Sequence, residues 1–439
     1  MIIKNFQELA SSFSKKVGLE IVEAGIKGVL PQKLVSGALC WDGKVLKIRR
    51  NRFPVNGRIF VVGFGKASGN MGCSVEKILG EKITYGVINT WKKYPLKRIK
   101  VNRVSHPVPD LRGLEGAKEI LSLKNEYHIG KNDTVVCLIS GGGSAMCPLP
   151  WEGLTLKMKQ KVTELLLKSG ANIQEINTVR KHISKIKGGR LAKHFYPARV
   201  ISLIISDVMG NDLGSIASGP THPDLTTFQD ACRILKKYKL WNKIPKPVQN
   251  HIKNGILGKV PETPKTLKKV KNIIIGDNFS GIREMAKKAE ELGLYARVLD
   301  KNLQGEARET AKEFCEKIRK IKKSGVYLAG GETTVKLPKI HGKGGRNQEF
   351  VSWCLLFLRD LEGEWSLLSV ASDGVDFISE AAGGIIDNTS WKEVKRKKIN
   401  LKEFLKKHDS YHLLKKINSL VRTGYTGTNV CDWIVFVRV

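Results

Sequence analysis

Residues 59–71 read IFVVGFGKASGNM, an apolar run carrying Gly63, then Gly65, Lys66 and a string of small residues. Such a run reads as a buried strand that hands over, through a glycine turn, to the start of a helix. The same punctuation recurs at YGVIN (85–89), TVVCLIS (134–140), VISLIIS (200–206), NIIIGDN (272–278), YARVL (295–299), GVYLAGG (325–331) and SLLSVAS (366–372). Helical stretches lie between them, among them Ser280–Leu292 and Glu306–Lys323, each stopped by a glycine. Continuous apolar strands alternating with helices predict an α/β fold with mainly parallel sheets.

A chain of 439 residues exceeds what one hydrophobic core supports, so two Rossmann-like domains are expected. The segment IPKPVQN…GKVPETP, 244–264, breaks the βα rhythm, and the division is placed there: 1–264 and 265–439. Near the N-terminus Ile3, Phe6, Ala10 and Phe13 have the period of an amphipathic helix, and the interspersed charges argue against a signal peptide. The eight cysteines form no C-x-x-C pair and read as reduced. No apolar run approaches the ~20 residues a bilayer requires, so a cytoplasmic protein is expected.

The formal charge is +35, from 76 Lys+Arg against 41 Asp+Glu, which raises a nucleic-acid reading. The lysines fall in short dispersed runs (92–100, 265–271, 392–398) without interleaved aromatics, and read as solvated faces rather than a nucleic-acid groove. A positive field of this kind still favours anionic small molecules.

The candidate chemistry stands at strand ends, where open α/β sheets bind ligands. Gly63, Gly65 and Gly69 are spaced one residue too long for a dinucleotide fingerprint, and YGVINT ends in Asn89 and Thr90 where a ribose-binding acid belongs. A Walker loop fails as well, since Phe60 replaces its first glycine and Ala67 follows the lysine. Lys66 remains as a cation at the mouth of a strand–helix turn. In LISGGGSAM (138–146), Gly141, Gly142 and Gly143 present successive N–H groups suited to an anion, flanked by the hydroxyls of Ser140 and Ser144. EINTVRKHISKIKGGRLA (175–192) reads as a basic, solvated helix. Asp207 leaves one strand end, and Asp373 and Asp376 another; carboxylates there suit Mg²⁺, although a turn-stabilising Asp is the ordinary alternative. Arg346 follows a glycine run near a helix start, where its fork can clamp phosphate or carboxylate.

Together VVGFGKAS, SHPVPD (105–110), LISGGGSAM, the 169–192 segment, ISDVMGNDLGSIASGPTHPDLTTF, GGETTV, GKGGRNQE, ASDGVDFISEAAGG and TGYTGTN resemble, in order, the class II glycerate kinases with a MOFRL domain. The resemblance spans Val61 to Asp432. It implies two α/β domains with an inter-domain cleft, and ATP-dependent phosphorylation of D-glycerate at its 2-hydroxyl with a divalent cation such as Mg²⁺. A related hydroxy acid, or 3-phosphoglycerate as product, is the alternative; an oxidoreductase is a rival from another class, and a homodimer stays open. By the same resemblance Lys66 and Arg346 steady the transferring phosphoryl group. Ser140 to Ser144, with Gly330, Glu332 and Thr333, are assigned to the nucleotide. Asp207 is assigned to catalysis or metal, and Asp373 and Asp376 to metal. The chain departs from the family pattern at Phe377–Gly384, which replace G-P-T-D-A-A-G-A, at His408, and at Tyr425, which replaces a proline.

Overall fold

A computed structural model describes residues 1–439. It contains two compact units: Leu34–Ile275, and Met1–Lys33 joined with Gly276–Val439.

The first unit opens with an antiparallel meander of β1 (Leu39–Trp41), β2 (Val45–Ile48) and β3 (Asn51–Pro54). Its main sheet holds β4 (Ile59–Phe64), β5 (Ile83–Thr90), β6 (Ile99–Arg103), β7 (Thr134–Ile139), β8 (Arg199–Ile205) and β9 (Val270–Gly276), in the order β6-β5-β4-β7-β8-β9. The pairs from β6 to β8 are parallel. β4 and β7 are buried at every position, as central strands covered on both faces must be. Phe60, Val62, Val135, Cys137 and Val200 form the core on one face of this sheet, with Ile120 and Phe195 packed over them.

The second unit holds β10 (Ala296–Glu306), β11 (Gly325–Thr334), β12 (Trp365–Ala371), β13 (Gly383–Asp387), β14 (Leu420–Val421) and β15 (Asp432–Arg438), in the order β10-β11-β15-β12-β13-β14. Here β10 and β11 are parallel, but β11–β15, β15–β12, β12–β13 and β13–β14 are antiparallel. The α/β class holds in both units, whereas the parallel register belongs to the first. An apolar strand covered on both faces carries no periodic mark of its direction, so sequence alone cannot separate the two ladders.

The domain division differs from the sequence expectation at two places. β9, assigned above to the C-terminal part, is the edge strand of the first sheet, which moves the boundary from 265 to 275/276. The N-terminal 33 residues belong to the second unit: in the helix Phe13–Gly28 a Cβ on Gly18 would stand 2.5 Å from Leu368, and one on Gly25 2.7 Å from Met285. Glycines on that face let the helix lie close on β12 and on the helix Asn278–Glu291. The expected amphipathic helix is also two helices, Phe6–Leu9 and Phe13–Gly28, because Ser12 caps the second through the N–H of Lys15. All eight cysteines are free thiols, and no helix is long and apolar enough to cross a membrane.

Candidate active site

In the first unit, β4 is followed by Gly65, whose φ of +126° and close approach to Ser140 exclude any side chain: a Cβ would stand 2.3 Å from the serine Oγ. Lys66 is then fixed through its main chain. Its N–H donates to the Gly141 carbonyl at 2.8 Å, and its carbonyl accepts from the Trp91 indole at 3.3 Å. The Ser140 hydroxyl accepts from the Ala67 N–H at 3.0 Å, so Ser140 joins the two loops.

The triple glycine after β7 is where other side chains press closest. A Cβ on Gly141 would lie 1.9 Å from Asp207 Oδ2, and one on Gly142 would lie 2.9 Å from His106 Nε2 and 3.3 Å from Lys66 Cγ. Lys66, His106 and Asp207 therefore gather around this loop, and the N–H groups of Gly141 and Gly142 have no acceptor within the protein. Free N–H groups in a glycine concavity are what an anion requires. His106 went unassigned in the sequence; its only signal was its place in SHPVPD. Opposite Gly143, Ala217 and Ser218 adopt φ of +51° and +62°, two left-handed non-glycine residues in succession, held by Ser144 Oγ to Ser218 Oγ at 2.7 Å.

The stretch 175–192 is not a solvated basic helix. Ile173–His182 packs Ile176 and Val179 into a small core with Phe228 and Leu235. Lys181 is buried against Asp224 at 3.2 Å, and His182 is buried between the Thr178 carbonyl and Glu262. Lys187, 1% exposed, donates to Ser144 Oγ at 2.9 Å and to the Ala217 carbonyl at 3.3 Å. Tertiary packing turned a charge pattern that reads as surface into an interior one.

In the second unit, Arg346 is the first residue of the helix Arg346–Phe357. Its guanidinium makes a two-point contact with Asp432 through Nε and Nη2, and Nη1 reaches Glu332 Oε1 at 2.7 Å. Three of five N–H groups are used, which leaves two on a side chain that is one-third exposed. Burial pushes the Asp432 carboxyl up, to about 7, while Arg346 pulls it down; the two carboxylates in turn raise the arginine pKa despite its burial. We take the pair as ionised, because a two-point charge-assisted contact is the strongest available to either group.

The residues of this unit assigned to metal or nucleotide have the following protein partners. Asp376 is fully buried and accepts four hydrogen bonds: from the Asn347 N–H (3.0 Å) and Nδ2 (3.1 Å), and from the Gln348 N–H and Nε2 (2.9 Å each). It anchors the first turn of the Arg346 helix and has no lone pair left for a metal. Gly330 is bare because a Cβ there would stand 1.8 Å from Asn278 Oδ1, so protein packing uses that space. Glu332 is committed to Arg346, and Thr333 is buried in β11. Asp373 Oδ1 accepts the Val375 N–H at 3.0 Å, and its carbonyl takes the Thr426 N–H at 3.0 Å, which joins the 372–376 and 423–430 loops. No group of three or more His, Cys, Asp or Glu side chains is arranged to hold a metal ion.

Both units are thus α/β, one with a glycine-lined strand end bearing a lysine and the other with a carboxylate-braced arginine at a helix start. Residues 18–253 match a family model described as a domain of unknown function, DUF4147, and residues 325–432 match one described as the MOFRL family. The chain is 41% identical to a glycerate 2-kinase of Pyrococcus horikoshii, over 96% of this chain and 97% of that one. A relative from Agrobacterium vitis with a provisional name as a hydroxypyruvate reductase is 39% identical over 86% of this chain and 98% of its own. The crystal structure of a Thermotoga maritima glycerate kinase superposes with a TM-score of 0.85 at 37% identity, covering 97% and 99% of the two chains. The chain belongs to the MOFRL-domain glycerate kinase family.

Proposed function

We propose that this protein transfers the terminal phosphoryl group of ATP to the 2-hydroxyl of D-glycerate, giving 2-phosphoglycerate and ADP. The observation that carries the reading is the triple glycine: two unpaired N–H groups in a concavity that admits no Cβ, with the Lys66 side chain along its rim. Such a loop suits phosphate oxygens, which N–H dipoles and a nearby cation stabilise. Phosphoryl transfer requires little covalent help and much charge placement. In this reading Gly141 to Gly143 hold phosphate, and Lys66 and Arg346 are the cations of their units suited to stabilising phosphoryl oxygens. Asp207, with its carboxylate against Gly141, accepts the hydroxyl proton or helps to hold the divalent cation.

Mg²⁺ is usually bound by one or two carboxylates completed by phosphate oxygens and water, and when bound it neutralises developing charge. Asp207 in the first unit and Asp373 in the second each fit that pattern as a carboxylate near a strand end, without a closed cage of ligands. The oxidoreductase reading is disfavoured locally. Asn89, where a ribose-binding acid would stand, has its amide donating to the Gly113 and Met146 carbonyls and serves packing.

The test is ADP release that depends on both D-glycerate and Mg²⁺, with phosphorus NMR locating phosphate on the 2-position. Oxidation of NAD(P)H by hydroxypyruvate without ADP formation would favour the reductase instead. Lys66→Ala and Arg346→Ala should each lower kcat/KM by well over tenfold, since a lost transition-state cation costs several kcal/mol.

A further inference from the structure

Next to the triple glycine, within the first unit, lies a cavity of about 570 Å³ whose lining includes Ser144, Lys159, Arg180 and Lys187. Pro107, Val108, Pro109, Pro148 and Leu156 form its apolar walls, and Lys157, Gln160, Lys161, Thr163 and Glu164 also line it. Lys159, Arg180 and Lys187 are unusual in having no anion. Lys187 Nζ bonds only Ser144 Oγ and the Ala217 carbonyl. Lys159, 6% exposed, bonds only the Pro148 carbonyl (3.1 Å) and Ser184 Oγ (3.3 Å). No hydrogen bond or ion pair engages the Arg180 guanidinium; Lys159 feels Arg180 and the Cys147 thiol, and Lys187 feels these and Lys159. Burial and mutual repulsion hold Lys159 down at about 7 and push Lys187 well below its usual range.

One turn before Arg180 on the same helix, Asn177 is 3% exposed and its amide nitrogen has no acceptor, while its oxygen takes the Ser218 hydroxyl at 3.0 Å. Buried cations persist when something compensates them. Here the protein offers three cationic donors, a serine hydroxyl and an open cavity, whose one carboxylate, Glu164, lies at the exposed side and is paired with Lys161 and Lys168. Structural lysines that merely cap carbonyls do not account for Arg180, which caps nothing.

We infer that Lys159, Arg180, Lys187 and Ser144 form a recognition site for the carboxylate of the hydroxy-acid acceptor. This rests on the kinase reading, in which the neighbouring glycine loop takes the donor phosphates and leaves a second anion to be held. The Arg180 fork matches a planar carboxylate at two points, and the buried lysines neutralise it. The acceptor is thus a small 2-hydroxy carboxylate, chosen by charge at one end and presenting its hydroxyl toward the loop.

The experiment compares wild type with Arg180→Gln, Lys159→Met and a control, Lys168→Ala, which alters an exposed lysine on the Lys159 helix outside the cavity. We expect KM for D-glycerate to rise at least tenfold in the first two variants, with KM for ATP within threefold and the control unchanged. Removing an unpaired cation from a repulsive cluster should leave Tm unchanged or raise it. A fall in Tm for Arg180→Gln would mark a structural role and overturn the inference. It is overturned equally if glycerate KM does not move, or if affinity for a non-hydrolysable ATP analogue falls instead, which would give the cavity to nucleotide phosphate. If wild type neither phosphorylates D-glycerate nor is stabilised by it, the kinase reading fails separately. Tartronate and inorganic phosphate then serve as probes: thermal protection of wild type but not of Arg180→Gln by tartronate upholds a carboxylate site, whereas protection by neither anion, or by phosphate alone, rejects it.

Discussion

Replacing Asp376 by asparagine separates two roles that a carboxylate at a strand end can have. The side chain receives four donors, two on each oxygen, all from the first turn of the helix that begins with Arg346. Asparagine keeps the shape but turns one oxygen into an NH₂ group, so two buried N–H groups lose their acceptor. Each orphaned donor costs about 1–3 kcal/mol, which gives roughly 2–6 kcal/mol. Burial already pushes the Asp376 carboxyl above its usual range, so removing the charge returns part of that cost. A net loss of about 2–4 kcal/mol is expected, or roughly 5–15 °C in the melting of a unit of this size. Arg346 sits one residue from the lost bonds and loses its bearing on Asp432, so activity falls with stability. The assay is calorimetric melting alongside a Mg²⁺ titration of initial rate. If Tm stays within about 1 °C while the Mg²⁺ requirement rises tenfold or more, Asp376 is a metal ligand and the anchoring argument is wrong.

Arg346→Lys keeps the charge but cannot span Asp432 and Glu332 together, so kcat/KM should fall at least about tenfold despite the conserved cation; near-wild-type kinetics would reject a role for the fork. Gly141→Ala places a methyl 1.9 Å from the present position of Asp207 Oδ2 and should abolish ADP release in a protein that still melts cooperatively; retained activity would show that the loop is not a phosphate cradle. Lys159 provides a pH signature: the unfolded chain keeps its lysine protons to about pH 10, whereas the folded protein releases this one near 7. The unfolded state therefore binds more protons between those values, and stability should rise with pH above 7, by at most about 1.4 kcal/mol per unit. Lys159→Met should remove that slope in chemical denaturation measured from pH 7 to 9, and an equal slope in the variant would refute the assignment. Phe377 holds a left-handed backbone, φ +63°, with its ring 85% exposed. Phe377→Asn should stabilise the second unit by about 1 kcal/mol, read as a higher denaturation midpoint; a loss would mean that the ring has contacts worth more than the strain.

Strand positions, the glycine turns and the α/β class were legible along the chain, because burial on both faces and tight turns demand local residue types. Lys66 and the triple glycine were legible because each closes an apolar run, and Arg346 because it follows a glycine run at a helix start. What the chain did not reveal were relations between distant segments. The direction of β12, β13 and β15, the allegiance of β9 and of the N-terminal helix, and the saturation of Asp376 by Asn347 and Gln348 each depend on a partner far away in sequence. The basic segment 175–192 shows the limit most sharply, because a lysine's charge favours the surface and only a cavity that needs compensating charge can hold it inside. Local chemistry decided what each strand end could do; tertiary packing decided which cations were left without an anion, since pairing is a property of space and not of order along the chain.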